Sequence, residues 1–305
     1  MRLVSLALVA ACLVLFYQPA QACSVCGCGD PMLATSDPAA ITGKLRFQAD
    51  VELLQVNAGT DGMPGYTDEL TQWSYRLNGV YRPIDDLAVS ATLPMATKTI
   101  NTVGGGTSTQ TSRLTGLGDV ELGARYAVWR SVDLGIGRVQ EIAVSAGTSF
   151  PTGANGATDA TGERVDEHGQ LGTGSFGPYA GLHYRFEQVQ WEAFASVSGR
   201  MHNANSYDYT YGPAVLWSVH GQYRPMTGLA LDLGVDGRYA KADTDHGASV
   251  DSTGGWVLAA SPGVYVKTFG DLWVFARGQV PFWERLFGDQ KVKPTVLGGL
   301  QYQIL

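Results

Sequence analysis

The stretch TGKLRFQADVELL, residues 42–54, decides the fold class, because apolar and polar side chains alternate along it. The apolar set comprises Leu45, Phe47, Ala49, Val51 and Leu53, and the polar set comprises Lys44, Arg46, Gln48, Asp50 and Glu52. A helix would spread these charges around its circumference, whereas successive side chains of a strand point to opposite sides. The stretch therefore predicts a β-strand with one apolar and one charged face.

The same alternation recurs along the chain, for example in QWSYRLNGVYR (72–82), DVELGARYAV (119–128), QWEAFASVSGRM (190–201), VLWSVHGQY (215–223) and LALDLGVDGRY (229–239). Segments of about ten alternating residues separated by turn residues are typical of membrane β-barrels. An even number of strands places both termini on one side of the membrane. We predict twelve strands, near 42–57, 70–82, 87–99, 113–130, 140–151, 172–187, 190–202, 212–225, 229–241, 254–268, 271–283 and 295–305.

The connections between these strands fall into two alternating classes. One class contains mostly short turns, at 82–86, 131–139, 187–190, 224–228 and 269–271. The other class is longer and rich in Gly, Thr, Asn and Asp, at 58–69, 100–112, 152–171, 203–211, 242–253 and 284–294. Short periplasmic turns that alternate with longer outer loops are expected of a bacterial outer-membrane barrel.

Composition agrees with this fold class. Glycine accounts for 39 of 305 residues, Trp and Tyr together number 21, and charged residues make up only 16%. A soluble β-sandwich would also alternate, but aromatic residues near strand ends favour membrane-interface girdles. These aromatic residues are Trp73, Tyr81, Tyr126, Trp191, Trp217, Tyr223, Tyr239 and Trp256. We therefore predict an all-β, antiparallel up-and-down barrel of about 12 strands in outer-membrane lipid. The net charge of −7 without a basic stripe argues against a nucleic-acid partner.

The N-terminus has the pattern of a secretory signal peptide. Arg2 precedes an apolar run, Leu3 to Tyr17, and Ala20-Gln21-Ala22 forms an A-x-A cleavage site. The run is too short for a membrane anchor, which needs about 20 apolar residues. We predict a signal peptide over 1–22, a Cys-rich periplasmic segment over 23–41 and the barrel over 42–305.

Three cysteines lie together in CSVCGCGDP, residues 23–31. Cys23, Cys26 and Cys28 allow a disulfide in the oxidising periplasm, a Cu or Zn site built from soft thiolates, or a lipid anchor on Cys23. A tail without redox function is the fourth alternative. Gly27 stands where covalent haem attachment needs His, so no haem cofactor is expected. Two hypotheses for the segment are a plug for the periplasmic mouth and a docking point for periplasmic redox or metal-handling proteins.

Several stretches resemble a known family. TGLGDVELGARY (115–126), SFPTG (149–153) and QLGTGSFGPYAGLHYRF (170–186) are similar to the meta-pathway phenol-degradation-like, or transporter-like, outer-membrane barrels, and LPMATK (93–98) is similar to a proline-containing strand end of that family. The resemblance implies an outer-membrane channel or transporter for small hydrophobic or aromatic molecules. It implies no catalytic residues.

The charged faces of the strands predict a charged lumen. Twelve strands lie between the filled eight-strand barrel and the sixteen-strand water channel, so a narrow pore is expected. The inward charges either neutralise one another across strands or form a ring that selects solutes by charge. The lumen candidates are Arg46, Asp50, Glu52, Arg76, Glu121, Arg125, Arg185, Glu192, Arg200, Asp232, Asp236 and Arg238, and Lys267 and Arg277 point the same way.

Catalysis is the remaining function class to consider. His183 and His220 lie on inward faces, and Ser218 lies two residues from His220. A barrel lipase or protease would need a nucleophile oriented by His and a third polar group, and the chain has no G-x-S-x-G elbow. We therefore predict a non-enzymatic channel for passive or gated passage of small molecules. The alternative is a structural or docking barrel that acts through the Cys-rich segment.

Overall fold

In a computed structural model, the described residues are 43–59, 66–104, 107–159 and 162–304, and their regular secondary structure is almost entirely β. The exception is a short 3-10 turn, Glu167–Gly169. In the part of the chain described here, no helix is long and apolar enough to cross a membrane. The strands are β1 Leu45–Gly59, β2 Tyr66–Ile84, β3 Leu87–Gly104, β4 Thr107–Leu117, β5 Glu121–Asp133, β6 Arg138–Ser149, β7 Gly177–Gln188, β8 Trp191–Arg200, β9 Tyr209–Thr210, β10 Ala214–Met226, β11 Leu229–Ala240, β12 Thr244–Asp245, β13 Ala248–Ser249, β14 Gly255–Phe269, β15 Leu272–Leu286, β16 Gln290–Val292 and β17 Thr295–Ile304.

The main sheet closes on itself. Consecutive barrel strands pair antiparallel, and β1 pairs with β2 on one side and β17 on the other, through Leu45↔Tyr81 and Leu45↔Ile304. Counting β4 with β5 and β16 with β17, the barrel has twelve strands, as the sequence predicts. In the strands that the structure describes, closure pairs the first barrel strand with the last, which meets the condition for a β-structure to span a bilayer.

The fourth barrel strand differs from the prediction, because it is broken at 118–120. β5 pairs with both β3 and β6, whereas β4 pairs with β3 alone and extends a long hairpin past the barrel rim. The predicted loop 100–112 is therefore mostly strand. The predicted strand 172–187 begins only at Gly177, because residues 172–176 belong to a loop that folds against the break.

Three of the long connections form a structure that we call the extracellular cap, which consists of the described residues 150–159, 162–176, 201–213 and 241–254. A small sheet of β9, β12 and β13 joins the second and third of these loops. Tyr209 and Tyr211 pack with Leu70 and Ile100 at the outer ends of β2 and β3. The sequence did not indicate this small sheet, since its strands are only two residues long.

The outer face of the barrel is apolar. Residues of the predicted apolar set, such as Phe47, Leu77, Leu122 and Val219, present about half of their surface outward. Trp191 and Tyr223 pair near the short turns with ring centroids 4.4 Å apart, while Trp256 contacts Trp217, Tyr239 and Trp283 toward the long loops. Two aromatic groups at opposite ends of an apolar band match the girdles of a bilayer-spanning barrel.

Candidate functional site

The barrel encloses a cavity of about 970 Å³. Its lining begins at the short turns, with Gln190, Thr227 and Asp271, and continues upward past the strand centres. It ends beneath the extracellular cap, at Lys98, Asp119 and Thr173. Because short turns mark the periplasmic side, the cavity extends from the periplasmic mouth to the underside of the cap.

The structure places all twelve predicted lumen candidates on the inner face. Eight of them line the cavity, namely Arg46, Asp50, Arg76, Glu121, Arg125, Arg185, Glu192 and Arg200. The other four, Glu52, Asp232, Asp236 and Arg238, are buried against the wall. Lys267 and Arg277 also line the cavity. The predicted role of these residues in selectivity stays a prediction.

Arg76 lies at the centre of one buried ion cluster. Its Nε donates to Asp50 Oδ1 at 2.8 Å, and its Nη2 donates to Glu52 Oε2 at 2.7 Å. Register explains the arrangement, since Asp50 and Arg76 are directly paired across β1 and β2. One guanidinium thus binds two carboxylates on the neighbouring strand, and the cluster carries one net negative charge.

A second group of charges surrounds the periplasmic mouth. Arg185 contacts Glu187 and Glu192, and Arg224 contacts the same two carboxylates. On the neighbouring strands β5 and β6, Arg125 Nη1 donates to Glu141 Oε1 at 2.6 Å. Higher up, Arg200 contacts Glu121 and lies 5.0 Å over the Tyr179 ring. Most inward charges are therefore paired across strands.

His220 lies in a third buried network. Its Nδ1 is 2.9 Å from Asp232 Oδ2 and its Nε2 is 3.0 Å from Asp236 Oδ1. Ser218 Oγ lies 2.7 Å from Ser196 Oγ on the neighbouring strand β8. His183 on β7 lies 2.8 Å from Ser145 on β6, and only β8 separates β7 from β10, the strand of His220. Both ring nitrogens of His220 therefore lie within hydrogen-bond distance of carboxylates.

The first loop of the extracellular cap is fastened to the break in the fourth strand. Asp119 Oδ1 accepts from the Gly153 N–H at 2.9 Å, and Oδ2 accepts from the N–H and hydroxyl of Thr173. The loop can come this close because Gly153 and Gly172 have no side chains; a Cβ on Gly153 would lie 2.7 Å from the Gly172 Cα. Both ends of residues 153–173 therefore meet at one carboxylate beside the cavity roof.

The three loops of the cap are joined by buried polar contacts. Tyr209 donates its hydroxyl to Asp243 Oδ2 at 2.5 Å, and His168 Nε2 lies 3.7 Å from the same oxygen. Asn205 donates to Glu167 and to the Thr173 carbonyl. Burial raises the pKa of Asp243 to about 6, and nearby His168 and Tyr209 oppose that rise. Burial and then the Arg200 charge lower the pKa of His202 to about 3.

Comparison with known proteins addresses the fold. No protein-family model matches the chain, and no curated protein matches its sequence. Among solved structures, an outer-membrane channel from Pseudomonas putida F1 has a TM-score of 0.64 at 11% identity, over 88% of this chain and 98% of that one. The chain has the fold of an outer-membrane β-barrel. Its apolar band lies in the bacterial outer membrane.

Two autotransporter barrels are also similar. The translocator domain of NalP from Neisseria meningitidis has a TM-score of 0.50 at 12% identity, over 90% of this chain and 94% of that one. The transport unit of AIDA-I from Escherichia coli has a TM-score of 0.50 at 7% identity, over 90% of this chain and 96% of that one. These identities are low, so the likeness concerns the barrel architecture; the predicted phenol-degradation link stays a prediction.

The predictions for the N-terminus lie outside the described residues. They comprise the signal peptide over 1–22, the Cys-rich segment over 23–41 and the disulfide, metal or lipid alternatives for Cys23, Cys26 and Cys28. Docking of a redox or metal-handling protein through this segment likewise stays a prediction.

Sequence reasoning missed several residues of the site. Glu187 and Arg224 were not among the predicted lumen candidates, because they lie where the predicted strands 172–187 and 212–225 meet the predicted turns; β7 and β10 include them. Glu141 lies on the inner face of β6, where alternation alone could have found it. Asp119 and Thr173 carried no local signal, because their importance comes from contact between segments 54 residues apart.

Proposed function

We propose that this protein is an outer-membrane channel that passes small molecules, including molecules with an apolar or aromatic body, through the barrel lumen. The observation that carries the proposal is the cavity of about 970 Å³ that extends from the periplasmic turns to the underside of the cap. A volume of this order accommodates one small organic molecule. The lining combines charged side chains with Phe194, Tyr265, Phe275 and Trp273.

We further propose that the extracellular cap gates this lumen. The cap lies over the outer end of the cavity, and its first loop is held at one carboxylate, Asp119. Release of this attachment would loosen this loop, which Lys98, Asn205 and Tyr211 also contact, while leaving the paired strands of the barrel intact. Solutes would then enter between the cap and the barrel rim and leave through the periplasmic mouth by diffusion, without chemical turnover.

Single-channel recording tests the proposal. The mature chain, refolded in detergent and shown to be folded by its heat-dependent mobility on gels, is inserted in a planar bilayer. We expect discrete conductance steps with long closed periods, and we expect Asp119→Asn to lengthen the open periods. Protein that is folded and inserted but silent, both as wild type and as the Asp119→Asn variant, would refute a gated aqueous lumen.

A further inference from the structure

Two adjacent aromatic residues lie on the outer face of the barrel near the extracellular end of β15. The register between β14 and β15 shifts at Leu258 and Ala259, and this β-bulge inserts Phe282 as an extra residue of β15. Phe282 and its neighbour Trp283 are both exposed, at 59% and 44%. The centroid of the Trp283 ring lies 6.5 Å from that of Trp256 on β14. We call Trp256, Phe282 and Trp283 the outer aromatic patch.

Arg285 lies at the outer aromatic patch. It is paired in register with Trp256 and follows Trp283 by two residues, so its side chain points to the same outward side of the sheet. Arg285 is exposed, and it is closer to the long loops than Trp283 is. The guanidinium group therefore projects outward beside the aromatic rings, on the extracellular side of Trp283.

Two lysines follow on β16, which comes after β15 and the turn 287–289 and contacts β15. Val292, the residue between Lys291 and Lys293, pairs with Val56 of β1 and is buried with it on the inner side of the wall. The two lysines flank Val292 and therefore point outward. Lys291 is exposed and Lys293 is half-exposed. We call Arg285, Lys291 and Lys293 the basic cluster.

The carboxylates around the basic cluster lie elsewhere. Asp289 and Asp251 are exposed in the turn before β16 and in the adjoining cap loop, both beyond the strand ends. Glu284 is paired with a buried residue of β14 and so points to the lumen. Glu69, on the outer side of β2, accepts from Asn57 of β1 at 3.4 Å. Within the described residues, the basic cluster forms no ion pair.

The register gives the level of the basic cluster in the membrane. Trp73 of β2, an exposed aromatic residue of the apolar face, pairs with Leu53 of β1. Gln55, whose carbonyl accepts from the Lys293 N–H, lies two residues closer to the long loops. Aromatic residues of the girdles lie at the level of the lipid headgroups. Because the long loops mark the extracellular side, the basic side chains reach the headgroup layer of the outer leaflet.

The chemistry of the two surfaces specifies the ligand. A guanidinium group binds a phosphate through paired, charge-assisted hydrogen bonds, and an ammonium group binds it as a point charge. Basic groups on two neighbouring segments can contact two phosphates at once, and the outer aromatic patch beside them offers an apolar surface to acyl chains. A lipid with two phosphates on a sugar headgroup fits this combination better than a phospholipid with one phosphate.

We infer that the basic cluster and the outer aromatic patch bind a diphosphorylated glycolipid of the lipid A class in the outer leaflet. The phosphates lie at Arg285, Lys291 and Lys293, and the acyl chains lie along Phe282 and Trp283. The site is on the outside of the barrel, so the inference goes beyond the proposed channel function and does not depend on it.

Native mass spectrometry of the folded mature chain in detergent tests the inference. Diphosphoryl lipid A is titrated in the presence of EDTA, and its apparent dissociation constant is compared with those of monophosphoryl lipid A and phosphatidylglycerol. We expect diphosphoryl lipid A to bind about fivefold more tightly than the monophosphoryl form, as the loss of one contact between a phosphate and a basic residue predicts. Phosphatidylglycerol should bind more weakly than diphosphoryl lipid A.

Two double variants separate the site from general effects of charge. Arg285→Gln with Lys291→Gln should weaken the binding of diphosphoryl lipid A about tenfold or more. The control Lys44→Gln with Arg138→Gln removes the same charge at the periplasmic end of the barrel and should leave binding unchanged. Heat-dependent mobility on gels shows whether each variant is folded. The comparison of the three lipids on the wild type decides the inference even if a variant does not fold.

Three results would overturn the inference. Equal affinity for diphosphoryl lipid A and phosphatidylglycerol would show a general surface for anionic lipids, and equal binding by the two double variants would place lipid A elsewhere on the barrel. Binding that requires Mg²⁺ and is lost in the variant Asp251→Asn with Asp289→Asn would assign phosphate recognition to cations held by carboxylates. A barrel that binds lipid A through the basic cluster but never conducts keeps the site and refutes only the proposed channel.

Discussion

Thr173 donates both its backbone N–H, at 2.7 Å, and its hydroxyl, at 2.6 Å, to the same carboxylate oxygen of Asp119. The other oxygen of Asp119 accepts from Gly153. Three donors from the two ends of one loop therefore converge on a single acidic side chain at the break in the barrel wall. The attachment of the cap to the barrel depends on a group that accepts at both oxygens.

Asp119→Asn is expected to release this loop. Asparagine has one acceptor oxygen and turns an NH2 group toward a donor, so at least one bond is lost and one contact becomes repulsive. Hydrogen bonds to charged groups contribute roughly 1.5–3 kcal/mol, so loop opening should increase about tenfold or more. The rate of trypsin cleavage at Arg164 in intact proteoliposomes measures how often the loop opens. The control Asp166→Asn alters the exposed residue that precedes the 3-10 turn in the same loop. Equal cleavage of both variants would contradict the role of Asp119 in holding the loop.

Arg76→Gln is expected to destabilise the barrel strongly, because it leaves Asp50 and Glu52 buried without their cation. Breaking a buried pair on one side costs about 3–5 kcal/mol. Urea unfolding in lipid vesicles measures the change in the free energy of unfolding. Arg138→Gln, which removes a half-exposed ion pair with Asp133 at 3.6 Å, should cost less than about 1 kcal/mol.

The same cluster allows a compensation test. The triple variant Asp50→Asn, Glu52→Gln, Arg76→Gln removes all three charges together and should recover much of the loss seen for Arg76→Gln alone. If the triple variant is as unstable as the single one, lost packing and not uncompensated charge is the cause.

Gly123→Ala is expected to displace the Tyr179 side chain. A Cβ on Gly123 would lie 2.1 Å from the Tyr179 hydroxyl oxygen but 3.3 Å from its Cζ. The free energy of unfolding of the alanine variant should therefore be lower by about 1–3 kcal/mol. Adding Tyr179→Phe removes the clashing oxygen and should restore part of that loss. A double-mutant cycle in vesicle unfolding gives the coupling; additive effects would show that the ring does not lie against Gly123.

The pH dependence of the extracellular cap should arise from two buried groups of opposite sign. The folded-state pKa of Asp243 is raised to about 6, so its favourable contribution is complete at low pH and is lost as pH rises to about 6. The folded-state pKa of His202 is lowered to about 3, so its contribution is complete above the unfolded value near 6.5 and is lost as pH falls. Between pH 4 and 6 the two effects oppose one another.

Single variants should reveal how each of the two groups makes the stability of the cap depend on pH. In Asp243→Asn the effect of His202 remains, and hydrogen-exchange protection of residues 201–213 should fall as pH decreases from 7 to 5. In His202→Gln the effect of Asp243 remains, and protection should fall as pH rises from 4.5 to 6. Each slope can reach about 1.4 kcal/mol per pH unit. The wild type should show a shallower dependence, and equal slopes in both variants would contradict this assignment.

The strand pattern was predictable because alternation is a local property. In residues 42–54 each side chain has a fixed side of the sheet, and lipid on one side with a polar lumen on the other makes the two faces chemically different. The same reasoning placed Arg46, Asp50, Arg76 and Arg200 on the inner face without knowledge of their partners. The even strand count and the alternation of turn lengths then gave the closed barrel and its orientation.

The partners themselves were not predictable. Arg200 binds Glu121 although the two residues are 79 positions apart and lie on strands separated by β6 and β7. Such pairing depends on register and on the tilt of strands around the barrel, which alternation does not encode. The split of the fourth strand at 118–120 was missed for a related reason. Its residues keep a strand-like pattern, but Asp119 satisfies donors from a distant loop and so leaves the sheet.

The sequence by itself therefore determined that the chain forms a membrane barrel with a charged interior, because period-two alternation and turn spacing are written residue by residue. Only the tertiary structure decided which charges neutralise one another and how the cap attaches to the wall. These features arise from contacts between segments that are distant in the chain, and their energies depend on distances that no local pattern records.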